Sequence, residues 1–319
     1  MIIKSLILAS MLLNSLGWHS AADKFDDAVI RDRSSSQKEV LAVNTTFTLP
    51  DILPRPKVKP NSYKTPIHAK HYLLADPDSG VILSKQAYKD HVPIASTTKI
   101  MTAVVALENY ELEEVVTVSE MASNQIGAEV HLRSGERIDV KNLLKSLLIN
   151  SGNDAAYALA ERMNNEGESG IEKFVEKMNE KAKALGMDDT KYEDPAGLNI
   201  DGYSSAFDLF LVTKYALKNP IFAGIVKSER DSARNEDGTI WHELKNSNRL
   251  VSEYHYPGAI GVKTGYMPEA GHCLVGAVKR EGRTLIAIVL NTYADTPSAS
   301  ADESRKLLDW GFDNTVWSD

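Results

Sequence analysis

The spacing of apolar positions changes period twice along this chain. From Tyr72 to Ala75 and from Val81 to Leu83, two short β-rich runs flank Asp76-Pro77-Asp78-Ser79-Gly80, a turn composition, and together they predict a hairpin. The pattern then becomes helical. Ile100, Met101, Val104, Val105 and Leu107 form a stripe that predicts a helix buried at the centre of the domain. Ile171, Phe174, Val175, Met178, Ala182 and Leu185 form another, with Ser169 and Glu172 placed as a capping box before it and Gly186 where a C-cap glycine belongs. In the last third the strand period returns. His272 to Val278 and Leu285 to Asn291 predict two apolar strands joined by a charged, glycine-containing turn, and Ser304 to Trp310 predicts a closing helix packed on that sheet. Strands at both ends with helices between them imply an α+β fold, an antiparallel sheet flanked by helices with an all-helical lobe inserted in the middle.

The N-terminal portion follows a different grammar. Lys4, the mostly apolar run Ser5 to Trp18, and the small residues Ser20-Ala21-Ala22 before Asp23 read as a secretory signal peptide over residues 1–22, because the run is shorter than the roughly 20 apolar residues a membrane span requires. Residues 23–69, with Pro50, Pro54, Pro56, Pro60 and Pro66, read as a proline-rich, disordered tether, leaving 70–319 as the folded catalytic domain. The protein is therefore expected outside the cytoplasm, in a periplasm or cell wall, with no stable membrane anchor.

Composition narrows the partner. The 319 residues are 43% hydrophobic and 25% charged, enough for a large core, and the net charge of −8 with no lysine or arginine block argues against a nucleic-acid surface. Cys273 is the single cysteine, which forbids an intramolecular disulfide, and its place in an apolar strand reads as a small buried hydrophobe. The eight histidines show no metal-binding spacing, so neither metal nor cofactor is expected.

Three short motifs carry the chemistry. Ser96-Thr97-Thr98-Lys99 places a hydroxyl and an amine on one helical face about a turn apart, where a neutral lysine can take the serine proton. Burial and a second cation, Lys263, would both favour that neutral form. Ser151-Gly152-Asn153 falls in a loop between two apolar helical stretches, where Ser151 can shuttle a proton and the Asn153 amide can hold a substrate carbonyl. Lys263-Thr264-Gly265, followed by Tyr266, reads as an edge strand lining a cleft, offering an ammonium and a hydroxyl to a terminal carboxylate, with Gly265 allowing a ligand backbone to approach. Each motif alone also fits an ordinary helix start, turn or strand.

The ordered trio resembles the serine D-alanyl-D-alanine carboxypeptidases, the low-molecular-mass penicillin-binding proteins, whose signature combines S-x-x-K, S-x-N and K-T-G elements. Pro93-Ile94-Ala95, Ser204-Ser205-Ala206-Phe207-Asp208 and Leu307-Leu308-Asp309-Trp310-Gly311-Phe312 strengthen the resemblance, which runs from about Lys70 onward. It implies a β-lactamase/DD-peptidase-like fold and an acyl-enzyme at Ser96 with Lys99 and Ser151 as catalytic partners. It also implies Asn153, Lys263, Thr264, Gly265 and Tyr266 as substrate-binding residues, an oxyanion hole from the backbone N–H groups of Ser96 and Tyr266, and peptidoglycan stem peptides as substrate with β-lactams as inhibitors. Because the chain stops soon after the closing helix, the family's extra β-rich C-terminal domain is expected to be absent. Two departures matter. The position four residues before Asn199, where class A β-lactamases place a deacylating glutamate, is Pro195, although Glu193 and Asp194 are near; and no arginine lies between Thr292 and Glu303 to help hold a substrate carboxylate. A carboxypeptidase is the leading expectation, followed by an endopeptidase cutting crosslinks, a β-lactamase, and a non-catalytic cell-wall or β-lactam sensor.

Overall fold

The computed structural model describes residues 55–163 and 169–317. The strands are β1 (Pro56–Val58), β2 (Ala69–Ala75), β3 (Ile82–Gln86), β4 (Val115–Thr117), β5 (Arg137–Asp139), β6 (Arg230–Arg234), β7 (Trp241–Lys245), β8 (Ala259–Met267), β9 (Gly271–Arg280), β10 (Arg283–Thr292) and β11 (Thr315–Trp317). The principal helices are α1 (Lys99–Asn109), α2 (Val140–Leu148), α3 (Asn153–Glu161), α4 (Gly170–Ala184), α5 (Ala206–Ala216), α6 (Pro220–Lys227) and α7 (Ala299–Asn314).

Five strands form an antiparallel sheet in the order β3-β2-β10-β9-β8. Its inner strands are apolar at nearly every position because both faces are covered, and their period-2 alternation deals residues to two different cores. Leu73, Val275, Ala277, Ile286, Ile288 and Leu290 point to the core shared with the helical lobe. Leu74, Leu274, Val278, Leu285, Ala287 and Val289 point the other way, onto Leu307, Leu308 and Trp310 of α7. The predicted hairpin is β2–β3, the predicted pair of apolar strands is β9–β10, and β8, which carries Lys263-Thr264-Gly265, occupies the sheet edge as expected.

On the inner side α1 packs against α2, α3, α4 and α5, so the helix that follows Ser96 is central to the lobe. The lobe is not purely helical. Two ribbons, β4–β5 and β6–β7, are set into it, and their three- to five-residue strands are too short to leave a periodic signal in the sequence. The capping box expected at Ser169 is also not formed: Ser169 is the N-cap residue of α4, but its side chain makes no capping hydrogen bond.

Of the tether expected over 23–69, the described residues from 55 onward are attached to the folded domain. Pro56–Val58 pairs antiparallel with Thr315–Trp317, the Trp310 indole N–H donates to the Tyr63 carbonyl at 2.8 Å, and the Glu303 carboxylate accepts from the His68 N–H at 2.9 Å. Prolines are tolerated here because a two-stranded edge ribbon leaves one side of the strand unpaired. The expected signal peptide and the rest of the tether lie outside the described residues. Among the described residues, no single helix is long and apolar enough to cross a membrane.

Helix α7 reaches the sheet through Gly311. A Cβ added there would stand 2.6 Å from Leu74 Cδ2 and 2.9 Å from Leu285 Cδ1. Gly311→Ala should therefore lose net stability of about 1 kcal/mol, overpacking of about 1–3 kcal/mol being partly offset by the better helix propensity of alanine. Chemical denaturation checks this, and an unchanged or raised midpoint would contradict it.

Candidate active site

The three motifs converge where the edge of the sheet meets the helical lobe. Ser96 lies in a 3-10 turn, Ala95–Thr98, that leads directly into α1, so Lys99 begins the central helix and its side chain is fully buried. Ser151-Gly152-Asn153 links α2 to α3, and Ser151 sits there at φ +67°. Ala95 is likewise in the left-handed region, at φ +46°. Strained backbone of this kind persists only where surrounding contacts over-determine it, and it gathers at functional sites.

Lys99 Nζ has three partners. It lies 2.8 Å from Ser96 Oγ, 2.7 Å from Asn153 Oδ1 and 2.8 Å from the Ala196 carbonyl. The Asn153 Nδ2 donates to the Ile126 carbonyl at 2.6 Å, which fixes the amide orientation and leaves Oδ1 facing the lysine. Burial lowers the Lys99 pKa to about 7, against the opposing pull of Asp194 and Asp154. In its neutral form the amine has two hydrogens for its two pure acceptors, Asn153 Oδ1 and the Ala196 carbonyl. Its lone pair is then left for the Ser96 proton, the geometry a general base requires.

Lys263 occupies a different place from the one expected. Its amine is fully buried, donates to Ser151 Oγ at 2.8 Å and to the Thr264 carbonyl at 3.0 Å, and is held well below its ordinary pKa by burial and then by Lys99. A buried amine that resists protonation is a poor partner for a carboxylate. Lys263 therefore supports Ser151 from beneath the cleft. Thr264 remains partly exposed, and its hydroxyl lies 2.8 Å from that of Ser247.

Gly265 also serves a closer contact than the one expected. A Cβ on it would stand 2.8 Å from the Ile94 carbonyl and 3.2 Å from the amide nitrogens of Ser96 and Thr97. Glycine is needed so that β8 can lie against the turn that carries Ser96. Tyr266 follows it, half-exposed and stacked on His272 at 4.3 Å between ring centroids. The His272 imidazole in turn meets Asp295 at 3.2 Å.

Four features escaped the sequence reading: the Ala196 carbonyl, the Asp194 turn that presents it, Ser247, and His272. Asp194 accepts four backbone N–H bonds, from Ala196 and Gly197 on Oδ1 and from Leu198 and Asn199 on Oδ2, and Glu193 ion-pairs with Lys191. Both Asp194 oxygens are thereby taken up by backbone N–H groups. Cys273 is buried with its thiol pushed up to about 12, which removes it as a rival nucleophile.

Comparison with known proteins shows the family. The family model described as D-alanyl-D-alanine carboxypeptidase (peptidase S11) matches residues 57–294. The chain belongs to this family. It is 37% identical over 251 residues to D-alanyl-D-alanine carboxypeptidase DacF of Bacillus subtilis, covering 76% of this chain and 62% of that protein, so it spans less than two thirds of that relative's length. It is 31% identical over 242 residues to the D-alanyl-D-alanine endopeptidase of Pseudomonas aeruginosa, covering 75% of this chain and 76% of that one. The crystal structure of the Streptomyces K15 DD-transpeptidase superposes with a TM-score of 0.73 at 34% identity, covering 79% of this chain and 99% of that one.

Two outcomes follow from the geometry. Acylation by a fluorescent penicillin should fall about tenfold per pH unit below about 7 and level off above it, because only the neutral Lys99 can accept the proton. A rate that is flat from pH 5 to 9 would contradict this. Gly265→Ala should cost about 100-fold in acylation while the fold survives, since the new methyl forces β8 away from Ser96. Stopped-flow labelling beside near-UV circular dichroism separates the two effects, and labelling at the wild-type rate would count against the contact.

Proposed function

We propose that this protein is an exported serine-type D-alanyl-D-alanine carboxypeptidase acting on peptidoglycan stem peptides. The observation that carries the reading is the buried amine of Lys99, whose two acceptors leave its lone pair directed at Ser96. Ser96 Oγ attacks the carbonyl of the penultimate D-alanine as its proton passes to Lys99 Nζ. The oxyanion forms against the backbone N–H groups of Ser96 and Tyr266, which the close seating of Gly265 on the Ser96 turn holds near each other. Collapse breaks the C–N bond, and the departing D-alanine amine receives a proton relayed from Lys99 through Ser151, whose oxygen is anchored by Lys263. Water then hydrolyses the ester. The free terminal carboxylate is held by the Thr264 hydroxyl with Ser247 beside it. Asn153 holds Lys99 and orients the α3 end of the cleft.

Names within the family include carboxypeptidase, endopeptidase and transpeptidase. These differ in which amine leaves and what accepts the acyl group, so one acyl-enzyme serves all three. An endopeptidase is the second reading. It is favoured by the lack of an arginine from Thr292 to Glu303 in the sequence itself, although the Arg249 guanidinium reaches that loop from outside by donating to the Pro297 carbonyl at 3.1 Å. A β-lactamase is disfavoured because Pro195 stands where a class A enzyme places its deacylating glutamate and both oxygens of the adjacent Asp194 accept backbone N–H bonds. β-Lactams should therefore acylate Ser96 and leave slowly.

Purified protein incubated with a stem pentapeptide and with a crosslinked peptide dimer, each followed by mass spectrometry, tests the proposal. The expected result is loss of one D-alanine from the pentapeptide at the higher rate, with both this activity and the penicillin adduct absent from Ser96→Ala. Faster cleavage of the dimer would favour the endopeptidase, and an adduct persisting on Ser96→Ala would remove the nucleophile assignment.

A further inference from the structure

The turn 194–199 is built around a single side chain. Asp194, nearly buried, accepts N–H bonds of 2.6 and 2.7 Å on Oδ1 from Ala196 and Gly197, and of 2.9 and 2.7 Å on Oδ2 from Leu198 and Asn199. The turn is seated on the nucleophile helix at three points. The Ala196 carbonyl accepts from Lys99 Nζ, and the Pro195 carbonyl accepts from Thr102 Oγ1 at 2.6 Å, one helical turn further on. Gly197, at φ +78°, lies so close to the Ser96 turn that a Cβ would stand 2.0 Å from the Ala95 carbonyl. Such a carbonyl cannot follow the lysine if the lysine rotates; the lysine must come to it.

We propose that Asp194 is a positioning residue for Lys99. By clasping the 194–199 turn, it presents the Ala196 carbonyl that takes one hydrogen of the amine and thereby aims the lone pair at Ser96. This rests on the acyl-transfer reading given above. An asparagine cannot replace it, because the side-chain NH₂ would face two backbone N–H groups, donor against donor. The carboxylate has a second effect. Asp194, together with Asp154 on α3, supports the ammonium form of Lys99 against burial; Lys263 on β8 is itself held well below its ordinary pKa by burial and then by Lys99, and the Tyr157 phenol on α3, its own pKa pushed up to about 12 by burial and then Asp194, stays uncharged. Removing the Asp194 charge should make Lys99 easier to deprotonate even as it becomes misaligned. Slower acylation combined with an acid limb at lower pH is a signature that general loss of packing does not produce.

The test measures fluorescent-penicillin acylation of the full chain against pH for the wild type, Asp194→Asn, Thr102→Val and Glu193→Gln, with near-UV circular dichroism for each. Asp194→Asn should acylate about 100-fold more slowly on the plateau, with its acid limb shifted to lower pH. Thr102→Val loosens the same turn without changing charge, so it should be slower with its limb unmoved. Glu193→Gln, which loses only the pair with Lys191, should match the wild type. Wild-type kinetics and an unmoved limb for a folded Asp194→Asn would overturn the proposal. Should Asp194→Asn fail to fold, wild-type acylation by Thr102→Val would overturn it equally. A wild-type protein that is not acylated at all would instead overturn the functional reading on which the proposal stands.

Discussion

Two lysine amines with no exposed surface govern this structure. An isolated ammonium taken out of water costs many kcal/mol, so such groups either find full compensation or give up the proton. Burial disfavours the charge on both, and Lys99 adds to the effect on Lys263. The fold answers with partners suited to neutral amines: an amide oxygen and two carbonyls as acceptors, and two serine hydroxyls. The same bonds tie the motifs into a ring. Lys99 joins the first to the second through Asn153, Lys263 joins the second to the third through Ser151, and Gly265 closes the third onto the first by lying against the Ser96 turn. Displacing any one of them disturbs the other two.

The surrounding architecture makes that ring possible. The sheet is covered on both faces, so β8 is held rigidly at its edge by pairing with β9, and α1 is gripped on all sides by the helices of the lobe. Between these two rigid bodies the remaining parts are loops, and buried carboxylates organise them. Asp154 accepts from the N–H groups of Val130 and Leu132 and so fixes the segment that carries Ile126, the carbonyl that orients Asn153. Asp194 does the same for the segment that carries Ala196. Each acid accepts backbone hydrogen bonds, which offset the cost of burying it, and each favours the protonated form of Lys99 against burial.

The sequence disclosed what rests on period and on motif. The continuous apolar run from Leu285 to Leu290, the stripe from Ile100 to Leu107, and the glycine-containing turns between strands follow from local geometry, and they led to the right elements in the right order. The ordered trio placed Ser96, Lys99, Ser151 and Lys263 in one site. Burial depth was not readable. A lysine beside a threonine on an edge strand reads as a cation in a cleft, and only the tertiary structure shows Lys263 pointing beneath it. Asp194-Pro195-Ala196-Gly197 reads as an ordinary turn, because which atom a backbone carbonyl faces is decided by packing. The pairing of Pro56–Val58 with Thr315–Trp317 joins segments more than 250 residues apart, and three-residue strands leave no pattern by which either announces the other.

The central claim, that Lys99 gives up its proton near neutral pH and is not held as a permanent ammonium, is tested most directly by NMR titration of the lysine side chains in protein labelled with ¹³C at lysine Cε. The account predicts one ε resonance with a midpoint near 7 that is absent from Lys99→Met, far from surface lysines titrating near their ordinary value of 10.5. A Lys99 resonance that titrates together with those surface lysines would mean that the buried amine keeps its proton at neutral pH, and the account of Ser96 activation would fail with it.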